Sequence, residues 1–441
     1  MRPVLPFLLL TLGCGPAEVG EVHLVPLPVQ VVVDPGFTEP GEPTLVLDAT
    51  LGLPPEAYRL TVDRRGARIE ASDEAGLFYG RQTLAQLPEP WPRVRIEDEP
   101  RFAWRGTMLD IARHPFGPDE IERAIDLAAA HKLNRFHLHL TDDQGWRIEI
   151  EAWPDLALVG GASEVGGGDG GFLTQAEYMD LVAYAVARHV VLVPEIDLPG
   201  HVNAALASYG SLNPDGVAAD PYTGINVGFS SLWLDGPDTW RFVTDVLTEV
   251  AAMTDGPYLH IGGDEAAATA PAEYADFVTD VGDLVADLGK TMVGWEEIGT
   301  VALEGEFVAQ VWLDEAGADG ARSQGAGIIA SPAEHAYLDM KYDLDTPIGG
   351  FWAGLTDVQD AYEWDPGDDA LGLEAPLWTE TVQTRADLDL LTWPRLAGHA
   401  EIAWSPREGR SWEEYRERLA VHGRRLEAAG VGLYRSPLVD W

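Results

Sequence analysis

Short apolar runs alternate with longer segments of helical spacing over most of this chain, and the alternation changes character near residue 100. Before that point, Val29 to Val33, Tyr58 to Val62 and Arg68 to Ala71 read as short strands. The last two pair across an Asp63-Arg64-Arg65-Gly66 turn. Ala75 to Leu87 follows with Leu77, Phe78, Leu84 and Leu87 on one helical side. Pro88, Pro90 and Pro92 end that helix and predict a linker. From Phe102 onward, eight apolar runs predict strands at Gly106–Asp110, Arg135–Leu140, Val190–Glu195, Tyr258–Gly262, Thr291–Trp295, Val308–Trp312, Ile328–Ser331 and Leu373–Trp378. Amphipathic stretches such as Pro118–Lys132, Gln175–Arg188 and Ala272–Leu288 separate them. The expected organisation is a leader over residues 1–20, a small α+β domain over 21–98 and a (β/α)₈ TIM barrel over 99–441. A doubly wound sheet accounts less well for the strand number.

Polar residues gather where these strands stop. Just past them come Asp110 and Arg113, Asp142 and Asp143, Asp197 and His201, then Asp264 and Glu265. The later strands end in Trp295, Trp312, Tyr337 with Asp339, and Trp378 with Glu380. The C-terminal ends of barrel strands share one face, so these endings describe a pocket. Carboxylates with several indoles suit a sugar, whose C–H faces stack on tryptophan while Asp, Glu and Arg bind its hydroxyls. Cleaving a glycosidic bond needs a carboxylic acid to protonate the leaving oxygen. The adjacent carboxylates of Gly262-Gly263-Asp264-Glu265 oppose each other's ionisation, so one pKa is expected to rise, which suits a general acid.

Composition narrows the partners. The 441 residues carry 73 acidic against 29 basic side chains, a formal charge of −44, which repels phosphate backbones and excludes nucleic acid as a partner. The apolar run Val4–Leu12 after Arg2 is too short for a membrane span and suits a signal peptide. Cys14, the only cysteine, follows that run as the lipidated residue of a bacterial lipoprotein does, which predicts export with membrane attachment through it. An ordinary signal peptide is the alternative. A single cysteine excludes an intrachain disulfide.

Eight stretches together give the chain a family resemblance. They are RGTMLDIARH (105–114), HLHLTDDQGWRIEI (137–150), PEIDLPGH (194–201), HIGGDE (260–265), VGWEEI (293–298), VAQVW (308–312), AYLDMKYD (336–343) and APLWTE (375–380). From about residue 22 to the C-terminus the chain resembles the β-N-acetylhexosaminidases, the family-20 glycoside hydrolases. The resemblance implies an exo-acting, retaining enzyme that removes terminal β-linked N-acetylglucosamine or N-acetylgalactosamine from glycans without a cofactor or metal. It implies Glu265 as general acid/base, Asp264 as partner of the acetamide N–H and Tyr337 as partner of the acetamide oxygen. Trp295, Trp312 and Trp378 are implied to enclose the acetamide and support the ring, with Trp352 as a further pocket aromatic. Arg113, Glu380 and Asp339 are implied to hold sugar hydroxyls, Asp142 to support Arg113, and Asp197 with His201 to tune Glu265 from behind.

Two other readings compete. His137 and His139, with His201, His260 and Asp264, could assemble a zinc-dependent amidohydrolase; the resemblance gives these histidines packing or supporting roles instead. A non-catalytic glycan-binding lipoprotein would keep the barrel and lose the chemistry, but Asp264, Glu265 and Tyr337 are all retained.

Overall fold

The computed structural model describes residues 21–313 and 315–441. Cys14 and the apolar run before it lie outside the described residues. Residues 28–99 and 100–441 form two compact units, with Val25–Leu27 counted in the second.

The first unit is one sheet with a helix. Its strands are β1 (Gln30–Thr38), β2 (Thr44–Leu47), β3 (Tyr58–Asp63), β4 (Gly66–Ala71) and β5 (Trp91–Asp98), in the order β1-β5-β3-β4-β2. β3 and β4 form the expected hairpin, closing at Asp63 and Gly66, where Gly66 takes a φ of 121° that a side chain would disfavour. Helix α1 (Glu74–Ala85) starts at Asp73, whose carboxylate accepts the Gly76 N–H at 2.7 Å. The linker expected after the three prolines is a correction. They do end the helix, but Trp91–Asp98 is β5, hydrogen-bonded between β1 and β3. Pro92 sits near the strand's start, where a missing N–H is tolerated.

The second unit is a closed parallel barrel of eight strands. They are β6 (Trp104–Asp110), β7 (Arg135–His139), β8 (Val191–Glu195), β9 (Tyr258–His260), β10 (Thr291–Trp295), β11 (Phe307–Val311), β12 (Gly327–Ala330) and β13 (Gly372–Leu377). β13 closes on β6 with six residue pairs, from Gly372 opposite Trp104 to Leu377 opposite Leu109. Helices between the strands present apolar faces inward, for example Ile121, Ile125, Ala128 and Ala129 of Pro118–Ala130. That helix and Pro271–Asp287 both begin on proline, whose absent N–H is no loss at a first turn. Trp104, Val193, Val293, Val308 and Ile329 pack together as an apolar layer inside the barrel. Further along the strands the interior turns polar, with His137, His139, Glu195, His260 and Glu374 all fully buried.

Candidate active site

A cavity of about 490 Å³ opens where the barrel strands end. Arg113, His201, Asp264, Glu265, Trp312, Tyr337, Asp339, Trp352, Trp378 and Glu380 all line it. Asp142, Asp197 and Trp295 are not among its lining residues but stand directly behind them. Sequence reasoning missed Ile225, Val227 and Leu313, which also line it. The first two come from the long connection between β8 and the helix Thr239–Met253, about thirty residues past the strand's end, so no pattern marked them. Leu313 directly follows Trp312 and could have been read with it.

The adjacent carboxylates Asp264 and Glu265 sit on a backbone that few residues adopt. After β9 the chain runs through Gly262 at φ 68°, Gly263 at 96° and Glu265 at 46°. A Cβ on Gly262 would lie 1.8 Å from Asp197 Oδ1, so glycine there lets Asp197 close on the turn and accept the Gly263 N–H at 3.2 Å. Glu265 has a left-handed backbone without being glycine, as does His201 at φ 53°. Such conformations cost about 1–3 kcal/mol and persist where the surroundings impose them.

The two carboxylates differ in environment. Asp264 is buried, and burial, with Glu195 and Glu265 nearby, pushes its carboxyl up to about 6 although His201 opposes the shift. Its Oδ1 is buried and has no hydrogen-bond partner among the described residues. The Glu265 side chain is one-third exposed at 33%. The rise is thus seen on Asp264, the member implied to meet the acetamide and not the one implied as general acid. Behind them, His201 Nε2 lies 3.6 Å from Asp264 Oδ2 and 3.4 Å from Glu265 Oε2. Its Nδ1 faces Asp142 Oδ1 at 3.3 Å. Burial opposes charge on His201, but Asp142, Asp197 and Asp264 raise its pKa well above the ordinary value.

Arg113 is fixed at one side. Its Nη2 pairs with Asp142 Oδ2 at 2.7 Å, Nη1 lies 3.5 Å from Asp110 Oδ2, and the guanidinium stands 4.7 Å from the Trp378 ring centre. Among the described residues its buried Nε and Nη1 have no hydrogen-bond partner, and neither does Asp339 Oδ1. Burial and the Glu380 charge raise the pKa of Asp339 well above the ordinary value, and burial with Asp110 and Asp142 nearby raises that of Glu380 although Arg113 opposes it. A ligand hydroxyl beside these groups would supply the donors and acceptors they lack. Asp110 serves as a strand-end anchor, accepting the Ala112 N–H at 2.7 Å and the Thr379 N–H at 3.0 Å. Asp143 ties two loops together through the Asn203 N–H at 2.9 Å and the Ser230 hydroxyl at 2.5 Å.

The aromatic wall is continuous. Tyr337 and Trp312 stack at 6.3 Å and 13°, and Trp352 meets both edge-on at 5.9 Å. Trp378 lies 6.2 Å from Tyr337 and 5.7 Å from Trp295. Trp295 is buried and donates its indole N–H to Glu195 Oε1 at 2.9 Å. Two of the histidines raised as zinc ligands are engaged here. His137 bridges Glu374 at 2.7 Å and Glu195 at 2.9 Å; these carboxylates overcome its burial and raise it to about 9. His139 bridges Glu195 and Asp142. Glu195 is thus the hub of the network under the site, although its place in the sequence sets it apart from no other strand-end glutamate.

Comparison with known proteins agrees with this geometry. Residues 102–273 and 267–407 match the catalytic domain of glycosyl hydrolase family 20, and residues 23–99 match domain 2 of that family. A β-N-acetylhexosaminidase of Cellulomonas fimi is 43% identical over 430 residues, covering 93% of this chain and 87% of the relative. The GH20 β-N-acetylhexosaminidase of Streptomyces coelicolor A3(2) superposes with a TM-score of 0.91 at 42% identity, covering 96% of this chain and 100% of that one. A mutant Streptomyces plicatus β-hexosaminidase in complex with the product GlcNAc gives 0.91 at 43% identity, covering 97% and 99%. With its barrel, its paired carboxylates and both of its units accounted for in this way, the chain belongs to glycosyl hydrolase family 20.

Proposed function

We propose that this glycoside hydrolase removes terminal β-linked N-acetylhexosamines by an exo-acting, retaining mechanism in which the substrate's acetamide is the nucleophile. The observation that carries the reading is the convergence of Asp264, Glu265, Tyr337, Trp312 and Trp378 on one cavity. A carboxylate with a free oxygen, a phenol and a box of indoles match an acetamide's N–H, C=O and methyl. In the first step Glu265 gives its proton to the glycosidic oxygen while the acetamide oxygen attacks the anomeric carbon, expelling the leaving group and forming an oxazolinium ion. Asp264 faces the charge developing on the acetamide nitrogen, and Tyr337 fixes the oxygen's approach. In the second step the Glu265 carboxylate takes a proton from a water molecule as the water's oxygen attacks the same carbon and the bond from that carbon to the acetamide oxygen breaks, which restores the starting configuration. Arg113, Asp339 and Glu380 hold the ring hydroxyls.

The test compares aryl β-N-acetylglucosaminides, aryl β-N-acetylgalactosaminides and plain aryl β-glucosides. Turnover confined to the acetamido sugars supports the mechanism. Covalent labelling of any aspartate or glutamate by a 2-deoxy-2-fluoro glycoside would instead establish an enzyme nucleophile and refute it. We also propose that the protein is exported and held to a membrane through a lipidated Cys14. The support is the sequence around that residue; among the described residues no helix is long and apolar enough to cross a membrane. Cys14→Ser should release the enzyme into the soluble fraction, and unchanged fractionation would exclude the anchor.

A further inference from the structure

His201, Asp264 and Glu265 have the arrangement of a metal centre as well as that of a catalytic group. One ligand atom from each lies within 4.8 Å of the others. The two separations from His201 Nε2, 3.6 Å to Asp264 and 3.4 Å to Glu265, approach the edge of a zinc tetrahedron, about 3.3–3.5 Å for bonds of about 2.0–2.2 Å. Two further observations point to a ligand. Among the described residues His201 Nε2 has no hydrogen-bond partner, although the residue is only 2% exposed. On the far side of the ring, His201 Nδ1 faces the Asp142 carboxylate at 3.3 Å. A carboxylate in that position fixes the tautomer of a metal-binding histidine and directs the other nitrogen at the ion. The remaining corner of the tetrahedron opens on the 490 Å³ cavity, where a water would complete the coordination.

We propose that this triad is an inhibitory site for zinc or a similar nitrogen- and oxygen-binding divalent cation, occupied in place of substrate. Binding forms one bond from Nε2 and one from each carboxylate, and any proton those atoms carried leaves to solvent. The ion takes the Glu265 oxygen needed for proton transfer and engages the Asp264 carboxylate that the acetamide needs, so metal and sugar exclude each other. The inhibitory consequence rests on the function proposed above; the binding itself does not. Magnesium, which prefers six oxygen ligands and keeps its waters, should bind poorly.

The experiment titrates the chelator-stripped full chain with zinc chloride by calorimetry, with and without N-acetylglucosamine, and repeats it on Glu265→Gln and Asp264→Asn. One zinc per chain is expected, displaced by the sugar in proportion to the sugar's occupancy. Each variant should weaken that zinc by at least about 10-fold, as loss of a coordinating or supporting group does, and zinc should raise KM without lowering kcat. Zinc binding that both variants leave unchanged, or zinc that raises turnover, would overturn the proposal. If the sugar also fails to bind and no substrate turns over, the function reading fails while the two variants still decide the metal site.

Discussion

Glu265 and Asp264 are neighbours in sequence and opposites in surroundings, and their variants should differ accordingly. Glu265→Gln keeps the shape of a partly exposed side chain and removes its proton, so turnover should fall roughly 10²–10⁴-fold. The loss should be greatest for poor leaving groups, with N-acetylglucosamine affinity changed only a few-fold; kcat and calorimetric binding check this together. Asp264 must be ionised to meet the acetamide, so kcat should rise with pH through about 6, its raised pKa. The same shift costs stability. A carboxyl whose folded pKa lies above the unfolded value of 3.8 favours the folded state at low pH, and that contribution is lost as pH rises through about 6. Asp264→Asn escapes this loss. It should melt higher than the parent at neutral pH while turning over slowly, and the melting difference should shrink toward pH 4. The sequence showed that two adjacent carboxylates must conflict. Which one bears the conflict depends on burial, which adjacency cannot convey.

At the scale of elements, the turn after β9 holds the site together through an absent side chain. Gly262→Ala would drive a methyl into Asp197 Oδ1 at a φ of 68°. A cost of about 1–3 kcal/mol in chemical denaturation is expected for such overpacking, with kcat reduced because Asp197 leaves the Gly263 N–H. Gly216→Ala is the control, since Gly216 has a similar φ of 73° but open space around it. A loss in the control as large as that at Gly262 would show that strain alone, not Asp197, is responsible. Elements were legible where a single period dominates. The barrel strands are buried apolar runs, and their polar endings announced most of the cavity lining. β2 escaped notice because it is four residues long and largely exposed, and β5 because its prolines argued for a linker. Glu195, Ile225 and Val227 were invisible for another reason: their roles come from residues brought near by the barrel and its loops.

At the scale of the barrel, the buried polar layer ties distant strands together. Glu374 on β13 accepts from Trp104 on β6 at 3.0 Å and from Gln310 on β11 at 3.1 Å, and contacts His137 on β7 at 2.7 Å. Glu195 on β8 contacts His137 and His139 on β7, His260 on β9 and Trp295 on β10. An ionic group buried without its partners costs several kcal/mol. An incomplete barrel, holding β6 to β8 without the strands that follow, strands Glu195 without His260 and Trp295, and leaves Trp104 and His137 without Glu374. Partly assembled barrels are therefore penalised on the way to the native state, and folding becomes all-or-none across the whole ring. Residues 100–256 and 257–441, produced as separate chains, should each lack a cooperative thermal transition by circular dichroism. Mixed during refolding, they should recover one. A stable, cooperatively melting half would mean that the barrel assembles in stages, with the polar layer added last.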